Sequence, residues 1–178
     1  MDDIVRQAIA KWPNVPDCYG WLGLDARGDW YLRDDATQAA GPFAGGAAGK
    51  GSVLRHTQLL AFIGRNYDRD ARGCWFFQNG PQRVYVELAA APWVWRLAPD
   101  LSIASHTGTA ARFEACLVDE AGRVYLLTDL GLGLVHSLDV DVVATAVEQA
   151  VWETQAVRAA DLPSRYGFVL SPQQLAGR

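Results

Sequence analysis

Three histidines, His56, His106 and His136, are the side chains of this sequence best suited to metal or proton chemistry. Imidazole is the commonest metal ligand and also titrates near neutral pH. With Asp129, Asp139 or Asp141 they can form a metal-assisted or acid–base site, provided the fold brings them together; His56, His106, His136 and Asp139 are the ligand set to check. No short spacing forces that convergence. Ser137, beside His136, lacks the G-x-S-x-G elbow that presents a serine nucleophile. Neither Cys74 nor Cys116 sits in a motif that favours the thiolate. The stretch "AGGAAGKGS" at 44–52 approaches a phosphate-binding loop, but Ala44 replaces its first glycine and Gly51 stands where the hydroxyl residue belongs. "DRDARG" at 68–73 opens like a calcium loop but lacks the later ligands and the closing glutamate. No cofactor is implied.

Aromatic chemistry offers a different kind of site. Trp93 and Trp95 lie two apart in "APWVWRL", so in a strand they share one face while Val94 and Arg96 take the other. If that face is core, both are packing residues. If it lines a groove, Trp93 and Trp95 form a surface for a small molecule or a peptide, with Arg83 or Arg96 holding an anion at its edge.

The elements that must position these residues are mostly strands. Residues 2–12 have the apolar spacing of a short helix that ends at Pro13 and Pro16. "DARG" at 25–28 recurs at 70–73, each copy followed by tryptophan and a second aromatic, and "DEAGRVYLL" from Asp119 is a looser third copy. Asp accepting backbone hydrogen bonds and Gly adopting a left-handed conformation are hairpin-turn chemistry, so the repeat reads as a building unit. An offset of 94 pairs Asp25 with Asp119, Gly28 with Gly122 and Tyr31 with Tyr125. The glycine-rich tract before Ser52 loses periodicity and reads as a mobile loop, with Ser52 able to cap the next helix. Asn79-Gly80 marks a second hairpin. A long amphipathic segment is expected over 142–160, then a short strand around Phe168 and a helix starting at Ser171-Pro172.

The fold class expected is therefore α+β and strand-rich, with two related antiparallel-sheet subdomains and packed helices. Residues 1–100 would hold a helix, a hairpin, the Gly-rich loop, a helix and a three-stranded meander. Residues 101–178 would hold a hairpin, a strand, the long helix and a short strand.

A net charge of −4 without a basic cluster argues against nucleic-acid binding, which needs cations to displace phosphate counterions. No apolar run is long enough to span a membrane, and the acidic start is unlike a secretion signal. Three separated cysteines spell no disulfide framework, so a cytoplasmic location is expected.

"CWFFQNGPQRVYVELAAAPWVWRL", "LTDLGLGLVHSLDV" and "LPSRYGFVLSP" together resemble a family of small, uncharacterised proteobacterial proteins known only as a domain of unknown function. A more distant likeness is to another uncharacterised bacterial family with two tandem subdomains. The resemblance implies the architecture and carries no catalytic residue. The function expected is a non-catalytic cytosolic binding or regulatory module whose partner is a small molecule or a protein, with homo-oligomerisation left open. The alternative is a small metal-assisted hydrolase, or other small-molecule enzyme, with a His/Asp site.

Overall fold

The computed structural model describes residues 1–177. They form two compact units, one of residues 1–25, 29–89 and the segment from 168 onward, the other of residues 26–28 and 90–167.

The first unit opens with helix α1 (Asp3–Lys11), whose Val5 is buried and whose Asp3 sits at the positive end of the helix dipole. Strands β1 (Cys18–Leu24) and β2 (Trp30–Leu32) are the hairpin expected about Gly28. Helix α2 (Asp35–Ala40) follows, capped by Asp34, which accepts the Thr37 N–H. Ser52 does not cap a helix; it belongs to β3 (Ser52–Val53), which extends the sheet beside β2. Helix α3 (Thr57–Arg65) starts later and is capped by His56. Strands β4 (Tyr67–Arg69), β5 (Trp75–Asn79) and β6 (Gln82–Leu88) complete a six-stranded sheet in the order β3-β2-β1-β6-β5-β4. Its pairs are antiparallel except the central one, β1 with β6.

The second unit holds β7 (Trp93–Leu97), β8 (Ile103–Ser105), β9 (Ala110–Ala111), β10 (Phe113–Val118), β11 (Val124–Thr128) and β12 (Gly131–Val135). Helix α4 (Val140–Glu148), β13 (Thr154–Ala156) and helix α5 (Leu162–Tyr166) follow. The sheet order is β13-β10-β11-β12-β7-β8-β9. Trp93–Leu97 is thus a central strand of this sheet and not the third strand of a meander with β5 and β6. The helix expected over 142–160 is only its first part: Ala150 has φ of 56°, which ends the helical path. Trp152 then turns inward to stack on Phe113 at 4.2 Å, and β13 pairs parallel with β10.

After Gly167 the chain rejoins the first unit. Phe168 is buried but lies in no strand. Val169 N–H bonds Gly73 O, Leu88 N–H bonds Leu170 O, and helix α6 (Pro172–Ala176) starts at Ser171-Pro172 as expected. Buried Glu87 accepts from Ser171 Oγ and from Gln173 N–H, tying that helix start to β6.

The recurring Asp-x-x-Gly motif makes one turn. In each copy the Asp N–H bonds the carbonyl four residues on at 3.0 Å, and its Oδ1 accepts the N–H of that same residue. The glycines have φ of 83°, 80° and 74° at 28, 73 and 122, the left-handed bulge position of a three-residue hairpin loop. Two further copies carry other residues. Ser105-His106-Thr107-Gly108 has Ser105 Oγ accepting the Thr109 N–H, and Ala98–Leu101 closes the same way with Leu101 at φ 65°.

The strand orders show why turns repeat. In both units a hairpin and short edge strand (β1-β2-β3, β7-β8-β9) lie beside a meander (β4-β5-β6, β10-β11-β12), joined by one parallel pair, β1 with β6 or β7 with β12. Asp119 is therefore the counterpart of Asp70, not of Asp25, whose counterpart is the glycine-free turn at Ala98.

The Gly-rich tract is packed, contrary to its composition. It forms two 3-10 turns, 43–45 and 47–49. The buried Arg33 guanidinium donates to the carbonyls of Gly49, Gly20 and Gly41. Phe43 fills the space over Gly23, where a Cβ would come within 2.4 Å of its ring. Lys50 pairs with Asp25 at 2.9 Å and lies over Tyr31.

Candidate ligand-binding site

The residues expected to form a site are largely absorbed by the fold. Trp93 and Trp95 are 8% and 0% exposed, so their shared face is core. Their rings stack at 5.8 Å, and their indole N–H groups donate to Leu130 O and Leu126 O. Room comes from the facing strand, since a Cβ on Gly133 would lie 2.3 Å from Trp95 Nε1. Arg83 belongs to the first unit, on β6, over the ring of Phe76.

The three histidines share a local role. Each Nδ1 accepts a backbone N–H: Leu59 for His56, Val94 for His106 and Leu138 for His136. His56 belongs to the first unit, the other two to the second. Burial pushes the His106 pKa down to about 3, which keeps its imidazole neutral at physiological pH. Asp139 is taken up by a bidentate pair with Arg96, at 2.6 and 3.2 Å, and accepts the Leu97 N–H. Its bonds to Arg96 hold its carboxyl below the usual carboxylate range. Among the described residues no three His, Cys, Asp or Glu side chains gather as metal ligands would. Lys50, the phosphate-loop analogue, is committed to Asp25. Burial raises the pKa of all three thiols, Cys116 to about 11, so none is primed as a nucleophile.

What the first unit does expose is apolar. Across its sheet Leu32 pairs with Leu22, and Val84 with both Cys18 and Phe77, placing these side chains on one face. Helix α3 covers part of that face: Phe62 meets Phe77 edge-on at 5.4 Å, and Leu59 and Ile63, one turn apart, point the same way. Between α3 and β2 remains a groove of about 260 Å³ with Leu22, Ile63 and Phe77 as its buried floor and Leu54 and Leu59 as its sides. Trp21 and Leu32, 43% and 48% exposed, stand at its mouth. Asn79 and Cys18 are its polar side chains besides the Trp21 indole N–H.

Trp21 reaches that position through a bulge. The pairing of β1 with β6 slips between Cys18 and Leu22, and Gly20 there has φ of 80°. A Cβ at Gly20 would also lie 2.4 Å from Gln38 Oε1. Neither Trp21 nor Leu32 stands out in the sequence. The signal available was Gly20 and Gly23 interrupting an otherwise regular apolar strand, since an isolated strand glycine marks a bulge or a close approach.

Fold and groove together define a strand-rich α+β protein of two six-strand repeats, one of which carries a small apolar groove. Over residues 1–173 the chain matches the DUF2944 family, described as "Protein of unknown function (DUF2946)", and it belongs to that family. Among solved structures it is similar to a DUF1285 family protein from Silicibacter pomeroyi DSS-3, with 13% identity, 80% of this chain and 83% of that chain covered, and a TM-score of 0.46. It is also similar to a DUF1285 family protein from Shewanella baltica OS155, with 16% identity, 70% and 91% covered, and a TM-score of 0.46. No curated protein matches the chain.

Proposed function

We propose that the protein is a non-catalytic binding module, acting in the cytosol, whose ligand is a small apolar molecule held in the groove between α3 and β2. The observation that carries this reading is the pair Trp21 and Leu32, large apolar side chains left in water at the mouth of an apolar recess. At ~30 Å³ for a water-sized group, the recess of about 260 Å³ holds roughly nine heavy atoms. That suits a short alkyl chain or a single ring, and only Asn79 and Cys18 are on hand for a polar end. Three free cysteines fit a reducing compartment. No helix among the described residues is long and apolar enough to cross a membrane. The hydrolase alternative is weakened by histidines that serve as backbone acceptors.

The test is a methyl-NMR titration with 1-octanol. Methyl resonances of Leu32, Leu54, Leu59 and Ile63 should shift together. Trp21→Ala should weaken binding roughly fivefold or more, which is about 1 kcal/mol, with little change in the melting temperature because Trp21 is exposed. Shifts scattered over both units, or unaffected by Trp21→Ala, refute the assignment.

A further inference from the structure

The β5–β6 hairpin has a second face, and it borders a different cavity. Phe77 and Val84 face the apolar groove, whereas Gln78 and Arg83, cross-strand partners, point the other way. There they line a cleft of about 560 Å³ whose far wall is the segment from Pro13 to Asp17 between α1 and β1. That wall is anchored: Gln82 Nε2 donates to Pro16 O at 3.0 Å. The cleft's accessible lining is mostly polar, with Ile9, Val15 and the rigid rings of Pro13, Pro16 and Pro81 supplying its smaller apolar part.

Its charged groups are complementary but do not pair with one another. Arg83 lies over Phe76, 4.8 Å from the ring centroid, beside the Tyr85 hydroxyl, so its guanidinium is held in place by aromatic neighbours. Asp17 lines the same cleft. Among the described residues neither enters a salt bridge, with the other or with any third group. Opposite charges that share a cleft yet stay more than 4.0 Å apart leave a gap that a molecule bearing both signs can bridge. Gln78 adds an acceptor. It is 2% exposed, its amide Nε2 is committed to Gly80 O, and no donor among the described residues reaches its Oε1.

We propose that this cleft binds a small zwitterion of the amino-acid class, its carboxylate on Arg83 and its ammonium on Asp17 and Gln78 Oε1. The planar guanidinium fork matches a carboxylate bidentately, and an ammonium supplies donors to both acceptors. The proline-rich sides and Ile9 suit an apolar side chain, and the volume admits a large amino acid or a dipeptide. This site is separate from the apolar groove and stands or falls independently of it.

Amide NMR with the full chain tests it, using L-leucine, L-phenylalanine and L-leucyl-L-leucine as probes at millimolar concentration. At least one should shift the amide resonances of Asn14, Val15, Asp17, Gln78 and Arg83. L-leucinamide, which lacks the carboxylate, and 4-methylpentanoate, which lacks the ammonium, should each bind roughly tenfold more weakly than L-leucine or worse. Arg83→Gln should weaken L-leucine by a similar factor and leave L-leucinamide unchanged, while Asp17→Asn should weaken L-leucine and leave 4-methylpentanoate unchanged. Both residues are exposed, so the variants fold, and matching melting temperatures verify this. Absence of shifts with all three probes, equal binding of the truncated analogues, or indifference to both substitutions overturns the proposal.

Discussion

Lowering the pH should unfold this protein partly through His106. Its Nδ1 accepts the Val94 N–H at 3.2 Å, and its Nε2 is buried although the residue as a whole is half-buried. Burial sets the folded pKa at about 3 against an ordinary 6.5, so on acidification the unfolded chain takes the proton first. The sign follows from linkage. Stability that His106 leaves intact at pH 7 is lost as pH falls below about 6.5, at up to ~1.4 kcal/mol per unit, until the folded form itself protonates near 3. Between pH 7 and pH 5 the loss comes to about 2 kcal/mol. Carboxylates such as Asp139, depressed by Arg96, act at lower pH and contribute little over this interval. The perturbation is His106→Asn, whose Oδ1 can accept the same N–H without titrating. Urea unfolding of both proteins at the two pH values gives the difference directly. Wild type should lose about 2 kcal/mol more than the variant. Parallel losses would mean that the imidazole titrates normally in the fold, and would revive it as a proton carrier.

Two further outcomes test the fold. Arg33→Lys cannot reach three carbonyls from one ammonium; it should cost about 2–5 kcal/mol through unsatisfied buried acceptors, and limited proteolysis should then cut within residues 41–51. A stable, resistant variant would return the tract to the status of a loose loop. Gly122→Ala and Gly28→Ala share the left-handed penalty of about 1–2 kcal/mol, but only at Gly28 does the new Cβ meet another atom, His106 Cβ at 2.8 Å. The Gly28 variant should therefore melt lower, and equal losses would contradict the packing described.

The strand-rich α+β class, the hairpins about Gly28, Gly80 and Gly122 and the helix starts at Asp3 and Pro172 were legible because each rests on local chemistry. The pairing of repeats was not. Asp25 and Asp119 match best as strings, yet Asp119 occupies the place of Asp70, and the true counterpart of Asp25 is a turn of Ala98 to Leu101 with neither Asp nor Gly. A repeat kept by backbone topology can shed the residues that announce it. The same limit hid the roles of Arg33 and Gly133. Composition makes 41–51 look unstructured, and no local pattern shows a guanidinium 8 to 16 residues earlier in the chain collecting its carbonyls, or two indoles lying over a glycine strand. For the sites, the sequence offers Arg83 only as an edge cation for the Trp93–Trp95 face, and that face is core. The roles proposed for Trp21, Asp17 and Gln78 have no sequence signal, because they rest on a bulge and on cross-strand register.

The first unit begins at residue 1 and is completed only by the segment from 168. Synthesis runs in one direction, so β6 emerges with Glu87 and the Leu88 N–H lacking the groups that will meet them. The 78 residues from 90 to 167 must be translated first, which takes about 4–16 s at typical elongation rates. At the end of that interval the second unit, contiguous but for three residues, has all of its chain, while the first still lacks the segment from 168. Nascent chains of this protein should therefore acquire structure in the reverse of the order in which the two units begin.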